Sequence, residues 1–149
     1  MKRPIAVLFL LLLTASFLSA KDLVNVDPKG VGIKGCDPVS FFTDHAAVKG
    51  DPLLRSTNGG VIYLFATAAH KESFDEEPQK YIPGFGGFCA YGVSRGVLIP
   101  IDPSAFQIID GRLFLQYSKG VMQRFNKDQA GNLDKATRNW PGLLDSKGR

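Results

Sequence analysis

The chain has 149 residues, of which 18 are Lys or Arg and 14 are Asp or Glu, giving a formal net charge of +4. Because the basic residues are scattered among acidic ones, the charge pattern excludes a nucleic-acid-binding footprint. We therefore expect no nucleic-acid partner. No apolar stretch after residue 20 is long enough to cross a bilayer, so we also expect no stable membrane insertion of the mature protein.

The first twenty residues have the order of a secretory signal peptide. Lys2-Arg3 precedes an apolar run of 14 residues, 5–18, and Ser19-Ala20 offers small residues to a signal peptidase. That run is shorter than the roughly 20 residues of a membrane-spanning helix, although an uncleaved anchor is the alternative. We therefore expect a periplasmic or secreted protein of one domain without an internal repeat. Its expected segments are a signal peptide at 1–20, a lead-in segment at 21–30 and the folded domain at 31–145.

The folded domain is predicted to begin with a short strand and a short helix. Glycines flank the apolar residues of 30–35, and this pattern is typical of a strand. Asp37-Pro38 is typical of a helix N-cap followed by proline at the first helical position. A short helix should therefore run through about Thr43.

A hairpin and a longer helix are predicted next. Leu53–Thr57 and Val61–Phe65 are strand-like, and Asn58-Gly59-Gly60 between them is a strong hairpin signal. Thr67 can cap a helix over 68–77, because its hydroxyl can accept a hydrogen bond from an otherwise unpaired backbone N–H of the first turn.

The second half predicts another hairpin after a glycine-rich stretch. Residues 83–96 include five glycines and three aromatics, which indicates a tightly packed segment rather than a free loop. Asp110-Gly111 then separates two apolar runs, 107–109 and 112–115, and is a typical two-residue hairpin turn.

Two helices are predicted near the C-terminus. Apolar residues recur at helical spacing within 118–128, and again in a last helix that Asn132 can cap and Pro141 terminates. Hairpins interspersed with short helices indicate an α+β fold. We expect a small single domain with an antiparallel sheet of hairpins and several short helices.

Several short motifs occur in a characteristic order between Val31 and Pro141. They are Gly35–Phe42, Tyr63–Phe65, Phe74, Pro78–Tyr81, Gly86–Val93, Ile101–Pro103, Asp110-Gly111 and Asn139–Pro141. In this order and spacing they resemble the YHS domain family, and the later motifs resemble its longer, exported members. Short YHS modules are associated with metal binding through cysteine and histidine. The resemblance therefore implies an exported protein that binds or handles a transition metal, with copper or zinc as the expected ion.

The chain departs from the metal-binding pattern that this resemblance implies. Three of the implied cysteine and histidine positions are occupied by Ser40, Ala66 and Ala69. His70 stands where the family pattern has a further cysteine, and Cys36 stands where the longer members have tyrosine. Cys89 matches a cysteine typical of the longer members. Any metal site would therefore have to be built from Cys89, Cys36 and His70.

These three side chains suit a soft metal ion if they meet in the fold. Two thiolates and one imidazole are ligands that Cu(I) and zinc accept, and three protein ligands would leave a position open for transfer to a partner. Cys89 is the strongest candidate, because a thiol at the start of a helix is a better ligand or nucleophile. Each residue also has a structural alternative: a buried or bridged cysteine for Cys36 and Cys89, and an exposed or hydrogen-bonded helix histidine for His70.

A disulfide between the two cysteines is the main alternative to a metal site. A Cys36–Cys89 bridge would close a loop of about 53 residues and could add roughly 4 kcal/mol of stability. The protein would then be a stapled, non-catalytic module for a small molecule or a protein partner in the envelope. The aromatic residues that could line its pocket, or simply fill the core, are Phe41, Phe42, Phe85, Phe88 and Tyr91.

A cysteine-dependent enzyme is the least favoured class. The chain has one cysteine at a predicted helix start and two histidines, His45 and His70. A thiol hydrolase needs these residue types as its nucleophile and its base. No signature of such enzymes surrounds Cys89, and His45 lies in a polar loop typical of solvated side chains. We therefore expect a protein without enzyme activity.

Overall fold

The computed structural model of the protein describes residues 23–147. The predicted signal peptide at 1–20 lies outside these residues. Within 23–147, no helix is both long enough and apolar enough to cross a membrane.

The described chain has six helices and four strands, which confirms the predicted α+β class. The helices are α1 (Ser40–Thr43), α2 (Ala68–Glu76), α3 (Pro78–Tyr81), α4 (Ala90–Ser94), α5 (Lys119–Asn126) and α6 (Gln129–Lys147). The strands are β1 (Asp51–Asn58), β2 (Val61–Phe65), β3 (Asp102–Ile109) and β4 (Arg112–Gln116). Two single turns of 3-10 helix, Ile33–Gly35 and Phe85–Gly87, precede α1 and α4.

Both hairpins turn at the glycine signals in the sequence. Gly59-Gly60 joins β1 to β2, and Asp110-Gly111 joins β3 to β4, with positive φ at all four residues. Glycine adopts this left-handed conformation at little steric cost, which explains why the turns form there. The hairpins remain two separate two-stranded antiparallel sheets, β1–β2 and β3–β4, rather than one shared sheet.

Residues 30–35 form a turn where a strand was predicted. Val31 makes a single parallel bridge to Ile62, and the chain then enters the 3-10 turn. Ile33 and Lys34 have φ values of 52° and 51°, in the left-handed region that a strand does not use. The glycines at the ends of this segment therefore mark a tight turn and not the borders of a strand.

The last helix extends beyond both predicted ends. α6 starts at Gln129, three residues before the expected cap Asn132, and continues through Pro141 to Lys147. The Asn132 side chain donates to the Phe125 carbonyl at 3.0 Å, so it ties α6 to α5. Proline removes only one helical N–H donor, and the side chains around it pack against the core, so the helix persists.

The two halves of the domain repeat one backbone pattern, although no repeat was predicted from the sequence. Three consecutive residues have positive φ in each half, 33–35 and 85–87. A short helix, a hairpin and a capped helix follow in the same order, first as α1, β1–β2 and α2 and then as α4, β3–β4 and α5. The cap is a hydroxyl in both halves, Thr67 before α2 and Ser118 before α5.

The hydrogen bonds of the two halves also correspond. Both hairpins carry a bulge in the first strand, where four residues advance against one on the partner strand. The pairs on either side of the bulge are Asp51–Phe65 and Arg55–Leu64 in the first half, and Asp102–Gln116 and Phe106–Leu115 in the second. The backbone N–H of Asp37 donates to the Val48 carbonyl at 2.8 Å, and that of Cys89 donates to the Ile99 carbonyl at 3.1 Å. Asp37 and Cys89 therefore occupy equivalent positions.

Two clusters of buried side chains form the core. The first, which draws on both halves, contains Ile33, Cys36, Val39, Phe41, Val61, Tyr63, Phe65, Phe74, Tyr81, Cys89, Ile101, Leu113 and Leu115. The second contains Phe85, Ala90, Val93, Phe114, Phe125 and Ala136. Because apolar burial is the dominant favourable contribution to folding, the shared first cluster holds the two halves together.

Alkaline unfolding should depend on Tyr63, which is only 4% exposed. Burial raises the pKa of Tyr63 from 10.0 to about 12 in the folded protein. The folded state favours the neutral phenol, so this contribution is complete below pH 10 and is lost as the pH rises towards 12. At about 1.4 kcal/mol per pKa unit, the loss approaches roughly 2–3 kcal/mol.

The Tyr63→Phe variant cannot ionise at this position, so it should lose less stability than the wild type at alkaline pH. Urea unfolding between neutral and alkaline pH measures the free energy of unfolding of both proteins. Tyr117→Phe is the matched control, because the Tyr117 side chain is 54% exposed. Identical alkaline slopes for the wild type and Tyr63→Phe would contradict this prediction.

Candidate functional site

Cys89 lies at the start of α4, as its glycine-rich context predicted, and its side chain is fully buried. Its Sγ accepts the backbone N–H of Gly92 at 3.5 Å and that of Tyr117 at 3.3 Å. The thiol S–H in turn donates to Oε1 of Gln116 at 3.3 Å. The sulfur is thus held by three polar partners from α4 and from β4 and its following residue.

Gln116 fixes the direction of the hydrogen bond with Cys89. Its Oε1 also accepts the backbone N–H of Tyr91 at 3.1 Å, so the oxygen, and not the nitrogen, must face the thiol. The Gln116 side chain is fully buried, and its Nε2 has no hydrogen-bond partner among the described residues. In this pair the Cys89 thiol is therefore the donor and the Gln116 amide oxygen the acceptor.

Asp37, the equivalent of Cys89 in the first half, holds a denser set of partners. Its Oδ1 accepts the backbone N–H groups of Val39 at 2.8 Å and Ser40 at 3.4 Å. Its Oδ2 accepts the backbone N–H of Ala66 at 2.8 Å and the ring Nδ1–H of His70 at 2.7 Å. The carboxylate thus joins α1, the end of β2 and α2 at one buried point.

His70 fills the space beside Asp37. Its side chain is 16% exposed, and its Nε2 lies 3.3 Å from the hydroxyl oxygen of Thr43. Because Nδ1 faces the carboxylate, that nitrogen carries a proton and the ring is locked between Asp37 and Thr43. In this structure His70 is thus a hydrogen-bonded helix histidine.

The second half has the same backbone frame but no ring in it. Val121 is the equivalent of His70, because each donates its backbone N–H to the hydroxyl cap of its helix. Arg95 is the equivalent of Thr43. Thr43 is the last residue of α1, and Arg95 directly follows the last residue of α4. Valine is too short to fill the position that the imidazole occupies, so the second half retains a cavity there.

This cavity, the Cys89 cavity, has a volume of about 450 Å³. Its lining residues are Cys89, Tyr91, Gly92, Arg95, Ile99, Tyr117, Val121 and Arg124. Arg95 and Arg124 are exposed, and neither belongs to an ion pair within the described residues. The cavity therefore combines an apolar wall, two aromatic rings and two guanidinium groups.

Cys36 has a different environment from Cys89. It is 3% exposed, and its sulfur makes no hydrogen bond within residues 23–147. Burial raises the pKa of the Cys36 thiol, Lys49 opposes this, and the carboxylates of Asp102 and Asp37 raise it further. Metal binding and nucleophilic attack both require the thiolate, which this environment disfavours.

The three predicted metal ligands do not form a ready-made site. Across the part of the chain that the structure describes, no group of three or more His, Cys, Asp or Glu side chains is arranged to hold a metal ion. Both ring nitrogens of His70 already have partners. Cys36 and Cys89 are free thiols, so the disulfide considered from the sequence is not formed. His45 is exposed, as expected.

Sequence reasoning missed the arginines and the buried amide of this site. Arg95 lies near the end of the glycine-rich stretch 83–96 and Arg124 lies in α5, with no motif that connects them. Gln116 follows three consecutive apolar residues at the end of β4 and resembles an ordinary polar strand end. Of the five aromatic residues considered for a pocket, only Tyr91 lines the Cys89 cavity, whereas Phe41 packs in the core against Phe106 at 4.8 Å.

Comparison of the chain with protein-family models, with curated proteins and with solved structures gives no significant match.

Proposed function

We propose that the domain is a non-catalytic binding module that holds a small organic anion in the Cys89 cavity. The observation that carries this proposal is the equivalence of the two halves. Where the first half seats the ring of His70 against Asp37, the second half leaves an open cavity of about 450 Å³ against Cys89. That volume is in the range of small-molecule sites in proteins.

The charge of the cavity selects an anion. Arg95 and Arg124 lie on its lining without an ion-pair partner among residues 23–147, and none of the lining residues is a carboxylate. A guanidinium group binds a carboxylate through two parallel hydrogen bonds, which gives both strength and orientation. The ligand should therefore carry a carboxylate, with a flat apolar body against Tyr91 and Tyr117.

The lining of the cavity supports binding rather than catalysis. A nucleophilic thiol needs a general base within hydrogen-bond reach, and the lining residues include no histidine, aspartate or glutamate. The Cys89 thiol donates to Gln116 instead. We therefore assign the thiol a positioning role: it holds Gly92, Gln116 and Tyr117 at the wall of the cavity.

Metal handling by an exported YHS-type protein is the second candidate. It is supported by the motif order of the sequence and by the position of Cys89 in the wall of a cavity. It would require the His70 ring to break its hydrogen bond with Asp37. It would also require the Cys36 thiol to lose its proton, although burial raises the pKa of that thiol. A native mass spectrum of the protein purified without chelator tests it directly, because bound copper or zinc on two reduced thiols would favour this candidate.

Benzoate is a suitable probe for the anion site, since it combines one carboxylate with one flat ring. Titration into ¹⁵N-labelled protein should shift the amide resonances of Tyr91, Gly92 and Tyr117. Replacing both Arg95 and Arg124 with glutamine should weaken benzoate binding about tenfold or more, the equivalent of roughly 1.4 kcal/mol.

Arg138→Gln is the matched control, because Arg138 lies outside the cavity in an ion pair with Asp134. Benzamide, the uncharged analogue of benzoate, is the control ligand and should bind more weakly. The proposal fails if benzoate shifts none of the three cavity amides, or if the Arg138 variant loses as much affinity as the double variant.

A further inference from the structure

A second cavity, the basic cavity, lies in the first half of the domain and has a volume of about 510 Å³. Its lining residues are Asp27, Lys29, Val31, Lys34, Gly35, Lys49, Gly50, Pro52, Arg55, Ile62 and Leu64. Four of them are cations and one is a carboxylate. None of these residues lines the Cys89 cavity, so a site here is independent of the proposed function.

The bulge in β1 shapes this cavity. Asp51 pairs with Phe65 but Arg55 pairs with Leu64, so the residues between Asp51 and Arg55 have no partner opposite them on β2. A bulge bends its strand and re-aims the side chains beside it. On the other wall, Val31 is held to β2 by its bridge to Ile62. Apolar side chains of β2 therefore lie between two basic walls.

The position equivalent to Arg55 in the second half is occupied by a half-buried aromatic ring. Phe106 takes the place of Arg55 at the bulge, and its ring packs edge-on against Phe41 at 4.8 Å. Arg55 is exposed instead and contributes a cation to the cavity. The same backbone frame is thus used for packing in one half and leaves an open basic cavity in the other.

The four cations make no ion pair with a carboxylate of the described chain. Lys29, Lys34, Lys49 and Arg55 belong to none of the ion pairs found within residues 23–147. The single acid, Asp27, uses Oδ1 to accept the backbone N–H groups of Lys29 at 2.8 Å and Val31 at 2.9 Å, so it stabilises a turn.

The turn at Lys34 anchors the side chain of Lys49 through a backbone carbonyl. Lys34 adopts the left-handed conformation, with φ 51° and ψ 32°, and its carbonyl accepts a hydrogen bond from Nζ of Lys49. Gly35 has a φ of 75°, which a side chain would strain, and an added Cβ would lie 3.5 Å from Leu64 and 4.0 Å from Nζ of Lys49. Glycine therefore keeps this part of the wall open.

We propose that the basic cavity is a binding site for a small phosphate ester. Lysine ammonium groups are compact point charges that phosphate oxygens accept readily, and Arg55 can bind phosphate through two hydrogen bonds. Like charges gathered around one cavity repel each other, and a multiply charged anion relieves that repulsion. Ile62 and Leu64 provide an apolar surface for the organic part of the ester.

Phenyl phosphate tests this assignment, with inorganic phosphate as the comparison. Titration of ¹⁵N-labelled protein with phenyl phosphate should shift the amides of Gly35, Lys49 and Ile62. Phenyl phosphate should bind more tightly than inorganic phosphate, because only the ester uses the apolar surface. Equal affinities for phenyl phosphate and inorganic phosphate, with the same amide shifts, would overturn the assignment to an ester and indicate a site for free phosphate.

Charge-matched variants separate a built site from general attraction. Lys34→Gln combined with Lys49→Gln should weaken phenyl phosphate binding at least tenfold, whereas Lys127→Gln combined with Lys135→Gln removes the same charge outside the cavity and should change it less than twofold. Equal losses in the two double variants would overturn the proposal, as would shifts confined to the Cys89 cavity amides. Circular dichroism of each variant checks that the fold is intact.

Discussion

Replacing Asp37 with alanine should lower the free energy of unfolding by roughly 3–5 kcal/mol. The Asp37 carboxylate is fully buried and accepts hydrogen bonds from three backbone N–H groups and from the ring of His70. Alanine would leave these donors unpaired away from water, and each unpaired buried group costs about 1–3 kcal/mol. Urea unfolding followed by circular dichroism measures the change.

The matched control for this substitution is Asp51→Ala. Asp51 is exposed and its Oδ1 accepts one backbone N–H, that of Leu53 at 2.8 Å. The control should cost about 1 kcal/mol or less, because water can replace the lost partner. Equal losses for Asp37→Ala and Asp51→Ala would contradict the role of Asp37 as the buried junction of α1, β2 and α2.

Replacing Cys89 with alanine should lower the free energy of unfolding by roughly 2–3 kcal/mol, about twice the loss for Cys36→Ala. Alanine at position 89 removes the sulfur that accepts the N–H groups of Gly92 and Tyr117. Alanine at position 36 removes only packing volume, because the Cys36 sulfur has no hydrogen bond in the described chain. The two variants are compared by urea unfolding without reductant.

A disulfide would give a different pattern. Both substitutions would then break the same bridge and cost the same large amount of stability. Titration of the unfolded wild type with a thiol reagent should detect two free thiols, in line with the free cysteines of the structure. Equal losses together with no titratable thiol would show that the protein carries the bridge instead.

Local signals in the sequence were sufficient to predict most of the elements. Asn58-Gly59-Gly60 and Asp110-Gly111 predicted the two hairpins, since left-handed turn residues are a property of a few consecutive positions. Thr67 was predicted as the cap of α2 for the same reason, and its hydroxyl accepts the His70 N–H at 3.1 Å. These features depend on neighbours in the chain and can therefore be read from it.

The missed features depend on residues that are distant in the sequence. The bond between Asp37 and His70 joins residues 33 positions apart, and the bond between Cys89 and Gln116 joins residues 27 apart. The backbone repeat was missed because its two halves share few residue types; Asp37 and Cys89, for example, occupy the same position with different chemistry. Pro141 was wrongly predicted to end α6, because tertiary packing outweighs the loss of one hydrogen bond.

The affinity of the Val121→His variant for benzoate shows whether the Cys89 cavity is the binding site. If the Cys89 cavity is the space that His70 fills in the first half, a histidine at position 121 should occupy it. We expect the variant to keep the wild-type unfolding free energy within about 1 kcal/mol and to bind benzoate at least tenfold more weakly. Val97→His, at a position that is 47% exposed and outside the cavity, should bind benzoate as the wild type does. A folded Val121→His variant with wild-type affinity would contradict the account.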